Sequence, residues 1–212
     1  MNMKKGREYK EKVYGEISNI SKAISNAHRM EIIDFLSNGS KCVEDIANQA
    51  GITIANTSQH LQILKKERLV KTNKKGVKVF YELADDSVYK AWMSLRNMAL
   101  SVSPFVKLAK DEFMQENNYP EPIDYNELDH EKTFLIDVRP LDEYESQHHP
   151  DATSFPIEEL EDRVAEIPKD KMVIAYCRGM FCTYADQAVK LLQSKGYNAR
   201  KIESNVKDFI LN

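Results

Sequence analysis

Cys177 and Cys182 stand at the two ends of a short polar loop, Cys177-Arg178-Gly179-Met180-Phe181-Cys182-Thr183. Before the loop runs Val173-Ile174-Ala175-Tyr176, apolar and rich in strand formers; after it, Tyr184 to Lys195 carries an amphipathic helical pattern. A strand, a loop and a helix in that order activate a thiol. Backbone N–H groups of the loop and the unpaired donors of the helix's first turn converge on the cysteine sulfur, and with the helix dipole they favour thiolate over thiol. Cys177 is expected to be a nucleophile, with Arg178, Gly179, Met180, Phe181, Cys182 and Thr183 forming the substrate-binding loop around it.

The chain must be large enough to build that layout. Its 212 residues, 42% of them hydrophobic, suffice for one large or two small cores, and two fit better. Cys42 is the third cysteine, and three are too few for the disulfide framework of a secreted domain. Met1 to Lys12 is charged and has no apolar centre, and no run approaches membrane-spanning length. A cytoplasmic protein without membrane contact is expected, needing neither metal nor cofactor.

A polar stretch with two prolines, Asn117-Asn118-Tyr119-Pro120-Glu121-Pro122, marks a boundary. Expected are a front domain over residues 1–116, a linker over 117–125 and a rear domain over 126–212. Met1 to Glu116 holds 19 basic and 14 acidic residues, a net +5, whereas Asn117 to Asn212 holds 11 and 19, a net −8. A basic front suits a polyanion such as DNA; an acidic rear does not.

In the front half, Ile17 to Leu36 is helical in pattern, Val43 to Ala50 a short helix ended by Gly51, and Thr53 caps a further helix to about Glu67. Two short helices around a glycine turn predict a helix-turn-helix, whose second helix enters the major groove. A helical wheel sets Ile54, Thr57, Leu61 and Leu64 on one side and Asn56, Gln59, His60, Gln62 and Lys66 on or near the other. Amides and imidazole there suit base-edge hydrogen bonds. Leu69 to Thr72 and Val77 to Leu83 predict a hairpin around Asn73-Lys74-Lys75-Gly76, a wing whose Lys74, Lys75 and Lys78 lie along phosphates. Asn56, Thr57, Ser58, Gln59, His60 and Gln62 with those lysines form the expected contact set for double-stranded operator DNA. Ser87 to Glu116 is too apolar for an exposed helix, with a kink expected at Pro104. A homodimer through the first and last helices of the front domain is expected.

Ala27-His28-Arg29-Met30-Glu31-Ile32-Ile33, Val43-Glu44-Asp45-Ile46-Ala47, Thr57 to Leu64 and Leu69-Val70 resemble the ArsR/SmtB family of winged-helix repressors over roughly Ile17 to Asn117. The resemblance implies dimers released from operator DNA by metals, metalloids or reactive sulfur. The family's Cys-Val-Cys thiolate site reads Cys42-Val43-Glu44 here, one ligand short, and Ser87 to Glu116 has no histidine for the site other members place on their last helix. Cys42 reads as structural, the alternative being a thiol that receives sulfur or oxidant.

In the rear half strands alternate with helices: helix Asn126 to Leu128, strand Phe134 to Val138, helix near Leu141 to Gln147, strand near Ser154-Phe155, helix near Ile157 to Val164, strand Met172 to Tyr176, the helix from Tyr184, strand Ala199 to Ile202. That is a parallel α/β sheet, with functional sites at the carboxyl ends of strands. Leu135-Ile136-Asp137-Val138-Arg139, Glu143-Tyr144-Glu145, His148 with Pro150 and Ala152, Pro156 with Leu160, and Tyr176-Cys177-Arg178-Gly179 resemble a single rhodanese domain. The fold class is thus a mainly α winged helix-turn-helix followed by an α/β rhodanese-like parallel sheet.

The resemblance implies that sulfane sulfur from thiosulfate, a persulfide or a polysulfide loads onto Cys177 as a persulfide. Arg178 is the loop's lone cation and is expected to steer an anionic donor. Asp137 and Arg139 are expected to support the fold, His148-His149 to be an exposed pair, and Ser204-Asn205 replaces a glycine pair common in rhodaneses. Thr183, where phosphatases of this fold carry arginine, disfavours oxyanion chemistry. Cys182 is either an inert helix-start residue or a resolving, sulfur-sensing thiol. The leading expectation is a repressor whose rear domain senses or transfers reactive sulfur. Alternatives are a sulfurtransferase merely tethered to a repressor, an arsenite-responsive repressor using Cys177 and Cys182, and a rhodanese fold kept only for protein interaction.

Overall fold

The computed structural model describes residues 3–129 and 131–207, with backbone alone at Met3. Two compact units divide between Arg96 and Asn97. Residues 1, 2, 130 and 208–212 of the expected domains lie outside the described residues.

The front unit opens on two helices, α1 (Met3–Ile24) and α2 (Ala27–Ser37). The single helix expected over Ile17 to Leu36 breaks because the Asn26 side chain caps α2, accepting from the Arg29 N–H at 3.2 Å. Arg29 reaches back to the last carbonyls of α1, donating to Ala23 O and Lys22 O. The charged start of the chain, which carries no apolar centre, is helical from Met3 onward.

Strand β1 (Lys41–Cys42) leads into α3 (Val43–Ala50), which ends on Gly51 at φ 64°, the left-handed conformation glycine adopts without strain. The next helix, α4 (Ile54–Lys66), is capped by Thr53, whose hydroxyl accepts from Asn56 N–H at 3.2 Å. The hairpin follows as β2 (Val70–Lys75) and β3 (Lys78–Leu83), turning on Gly76 at φ 61°. The first strand reaches closer to the tip than expected, so Lys74 and Lys75 lie within β2, while β3 begins one residue later than expected. Among the described residues the sheet order is β1-β3-β2, antiparallel throughout. Ile32, Ile33, Leu36, Ile46, Leu61 and Leu64 are almost wholly buried beneath it. Trp92 of α5 (Asp86–Val102) donates to the Asp34 carboxylate at 2.8 Å, tying α5 to α2.

The chain passes from one unit to the other within α5. Instead of a kink, Pro104 sits in the first turn of a separate helix, α6 (Pro104–Glu116), where its missing N–H costs nothing. Contacts place α6, expected on the DNA-binding side of a boundary after Glu116, with the rear unit. Lys110 pairs with Glu203 at 2.7 Å, and Lys190 donates to Asn117 O at 3.0 Å.

Beyond a 3-10 turn at Tyr125–Glu127, where a helix from Asn126 was expected, come β4 (Thr133–Asp137), α7 (Leu141–Ser146), β5 (Thr153–Ser154) and α8 (Leu160–Arg163). Then follow a 3-10 turn at Val164–Glu166, β6 (Met172–Tyr176), α9 (Tyr184–Ser194) and β7 (Ala199–Lys201). Among the described residues these strands form one parallel sheet in the order β5-β4-β6-β7. Alternate strand residues feed two cores. Ile136, Val173 and Ala175 pack with Ala188, Val189 and Leu192 of α9 on one face; Leu135, Ile174 and Tyr176 pack with Ile202 and Val206 on the other. Among the described residues no helix is long and apolar enough to cross a membrane.

Candidate functional site

Burial on both faces makes β6 rigid to its last residue, and Cys177 follows Tyr176 directly. The loop then turns on Gly179, at φ 110°, and α9 begins at Tyr184. Its first-turn N–H groups have no partner within the helix. Those of Ala185 and Gly179 face the Cys177 sulfur, and those of Tyr184 and Arg178 face Cys182. These groups favour the charged form of both sulfurs.

The two free thiols are neighbours in the loop, and each shifts the titration of the other. Cys177, 2% exposed, also donates to Cys182 O at 3.2 Å. Burial pushes the Cys177 thiol up, and the neighbouring Cys182 adds to this. Cys182 is held down to about 7, first by the neighbouring Cys177 thiol and further by Arg178. The two shifts run in opposite directions and favour a negative charge on Cys182 over one on Cys177.

Arg178 does not reach out to an anion as expected. Its Nε donates to both Glu143 carboxylate oxygens (3.1 and 2.9 Å) and Nη2 to one of them at 2.7 Å. Both side chains are almost fully buried, and the guanidinium also lies over the Tyr184 ring. Burial works against the Arg178 charge, but Glu143 more than offsets it. The cation is committed to fixing the loop. Asn205 fixes it as well: buried, it donates to Arg178 O at 2.9 Å. Neither Glu143 nor Asn205 stood out as a site residue in the sequence, because each meets Arg178 only through the fold.

Asp137 and Arg139 form a buried pair at 2.6 Å, with Arg139 also donating to Gln147 O. His148 and His149 are not an exposed pair. His148 stacks on Tyr144 with ring centroids 3.8 Å apart, and His149 is buried. The His149 Nδ1 accepts from Asp151 N–H, so Nε2 carries the proton it shares with Tyr125 OH at 2.7 Å. Met180, Phe181 and Thr183 form the outer edge of the loop and line a cavity of about 370 Å³ with α6.

On α4, Gln59 and Gln62 are exposed, while Asn56, Ser58 and His60 are half-buried. Thr57 is wholly buried and donates its hydroxyl to Thr53 O, so it positions the helix and has no surface to offer a base. His60 lies against the His28 ring and is held below the usual imidazole range by burial, with Arg29 and His28 contributing. Lys74, Lys75 and Lys78 are exposed along the wing, and Lys65 of α4 donates to Thr72 of β2, joining the helix to it. Cys42 is 1% exposed and donates its thiol to Asp45 at 2.9 Å; burial first, then Asp45, raises its pKa.

Both halves of the chain match known proteins. A family model described as "Bacterial regulatory protein, arsR family" matches residues 26–72, and the model of the rhodanese-like domain matches residues 123–208. The chain is 30% identical over 200 residues to the HTH-type transcriptional regulator Rv0324 of Mycobacterium tuberculosis, spanning 92% of this chain and 88% of that one. It is 37% identical over 70 residues to an arsenical resistance operon repressor of Staphylococcus aureus, covering 33% of this chain and 67% of the repressor. A sulfurtransferase of Allochromatium vinosum is 38% identical over 69 residues, 32% of this chain and 63% of the enzyme. With both domain models matched in order and a relative similar along nearly the whole length, the chain belongs to the family of HTH-type transcriptional regulators that join an arsR-type winged helix to a rhodanese-like domain.

Proposed function

We propose that this regulator is a homodimeric repressor whose rear domain takes up reactive sulfur on Cys177 and converts that event into a change of operator affinity. The observation that carries the reading is the thiol pair, two free cysteines in one loop at the start of α9, with the Cys177 thiol donating to Cys182 O at 3.2 Å. Cys177 passes its proton to Cys182 and attacks the outer sulfur of a donor; the donor's S–S bond breaks, Cys177–S–S–H forms, and the departing thiolate takes the proton from Cys182. The Cys182 thiolate left behind attacks the inner sulfur of that persulfide, forming the Cys177–Cys182 disulfide and releasing hydrosulfide. Either product changes a loop that two buried contacts hold in one conformation.

DNA recognition rests on Gln59 and Gln62 with Asn56, Ser58 and His60, positioned by the wing lysines on the phosphates. A dimer accounts for the apolar residues α1 leaves exposed, Tyr9, Tyr14, Ile17 and Ile20 among them. A useful switch needs the two states to differ in DNA affinity by about 1–3 kcal/mol. Catalytic sulfur transfer as the output is the second reading, supported by the likeness to a named sulfurtransferase.

The test is operator affinity by fluorescence anisotropy with reduced protein, protein treated with a persulfide donor, and Cys177→Ser treated identically. Weakened binding in the wild type alone is the expected result. Unchanged affinity despite sulfur on Cys177 by mass would overturn the switch and leave the tethered enzyme.

A further inference from the structure

A cavity lies beside the thiol loop. Its volume is about 370 Å³, and Val106, Ala109, Phe113 and Met114 of α6 face Met180 and Phe181 of the loop across it. That volume lies within the range of small-molecule sites, and the lining is apolar with few polar groups. The two charged side chains on its wall are both engaged: Lys110 pairs with Glu203 at 2.7 Å and Asp186 with Lys201 at 2.6 Å. In the chain, Phe181 and Thr183 bracket Cys182 and Met180 lies three residues after Cys177, so the cavity wall belongs to the loop that carries the two thiols.

A doubly charged inorganic donor has little to gain there. The loop's cation is neutralised by Glu143, and desolvating a small dianion against Phe113, Met114 and Phe181 is costly. A donor whose leaving group carries an apolar body gains instead, by burying that body. We propose that the cavity binds the organic part of a low-molecular-weight hydropersulfide, R–S–S–H, and that this class of molecule loads Cys177.

The inference rests on the persulfide reading of Cys177 and adds the substrate class. The Cys177 thiolate attacks the outer sulfur, which keeps its hydrogen. A new bond forms between that sulfur and Cys177 as the donor's S–S bond breaks, and R–S⁻ departs with the electron pair. Cys177–S–S–H and R–S⁻ account for every atom and charge of Cys177–S⁻ and R–S–S–H. The site therefore releases an organic thiolate, which places this step after whatever reaction builds hydropersulfides on small thiols.

The experiment measures sulfur loading of Cys177 by mass in the full-length protein, with benzyl hydropersulfide, inorganic polysulfide and thiosulfate as donors. Ala109→Trp places a ring into the cavity from an exposed backbone position; Lys107→Trp adds the same ring on α6 away from the cavity wall. Benzyl hydropersulfide should load the wild type at least about tenfold faster than thiosulfate. Its rate relative to polysulfide should fall about tenfold in Ala109→Trp, the effect of denying roughly 50 Å² of apolar burial, and hold in Lys107→Trp. Equal loading by thiosulfate, or an unchanged ratio in Ala109→Trp, would overturn the donor assignment while leaving persulfide formation intact. If no donor puts sulfur on wild-type Cys177, the persulfide reading fails and the donor assignment with it.

Discussion

Replacing Glu143 with alanine removes the partner that fixes the thiol loop. The ion pair it makes with Arg178 is 2.7 Å long, and the two side chains are 1% and 8% exposed. Truncating one member of a buried pair strands the other charge, a loss of about 3–5 kcal/mol. With a urea dependence of about 2 kcal/mol per molar for a unit of this size, the rear unit's midpoint should fall by roughly 2 M. Cys177, 2% exposed, supplies the assay: an alkylation pulse short against the slow labelling of the folded loop marks it in unfolded molecules at each urea concentration. Trp92 lies in the front unit, and its fluorescence transition should stay in place. Pairing Glu143→Met with Arg178→Met should recover most of the loss, since a well-packed apolar pair replaces a buried ionic one at little cost. A midpoint shift below about 0.5 M in Glu143→Ala, equivalent to about 1 kcal/mol, would refute the claim that this pair holds the loop.

The pH profile of Cys177 labelling in the folded protein should rise as pH climbs through about 7, because Cys182 must be deprotonated to accept the Cys177 proton. In Cys182→Ser that base is lost and burial still opposes the Cys177 charge, so the rise should move to higher pH. Changing Lys74, Lys75 and Lys78 together to alanine should weaken operator binding and flatten its salt dependence by about one unit for each phosphate left without its lysine, with base preference unchanged. Gln59→Ala or Gln62→Ala should instead relax preference at a base pair, at about 1–3 kcal/mol, read by anisotropy on operator variants. Leu61→Ala, at a fully buried position, should cost the front unit about 2–5 kcal/mol by urea titration of Trp92 fluorescence.

What the sequence disclosed was local. Thr53, Gly51 and the apolar spacing of Leu61 and Leu64 delimit α3 and α4 because caps and helical periodicity are written in adjacent residues. The Val173 to Tyr176 run marked β6 for the same reason. Asn26 was a cap in plain view, yet apolar residues continue across it, and periodicity outweighed it. The two-residue strand β1 is too short to leave a pattern; it exists through pairing with Phe80 and Tyr81. Arg178 shows the deeper limit. Its position in the loop suggested a free cation, but Glu143, 35 residues away, takes the charge. Cys177 could be singled out from the strand, loop and helix around it, whereas the opposite pKa shifts of its sulfur and that of Cys182 depend on how the loop closes.

Cys42 has a practical consequence. Its sulfur is buried at the start of α3, keeps its proton and donates it in a hydrogen bond to Asp45. In the native state it is therefore chemically silent toward electrophiles and oxidants. Any thiol-directed label or sulfur adduct on the folded chain reads out the Cys177–Cys182 loop alone, so the unmodified protein is its own single-address reporter, and its occupancy can be counted on intact molecules without first mutating a background cysteine away.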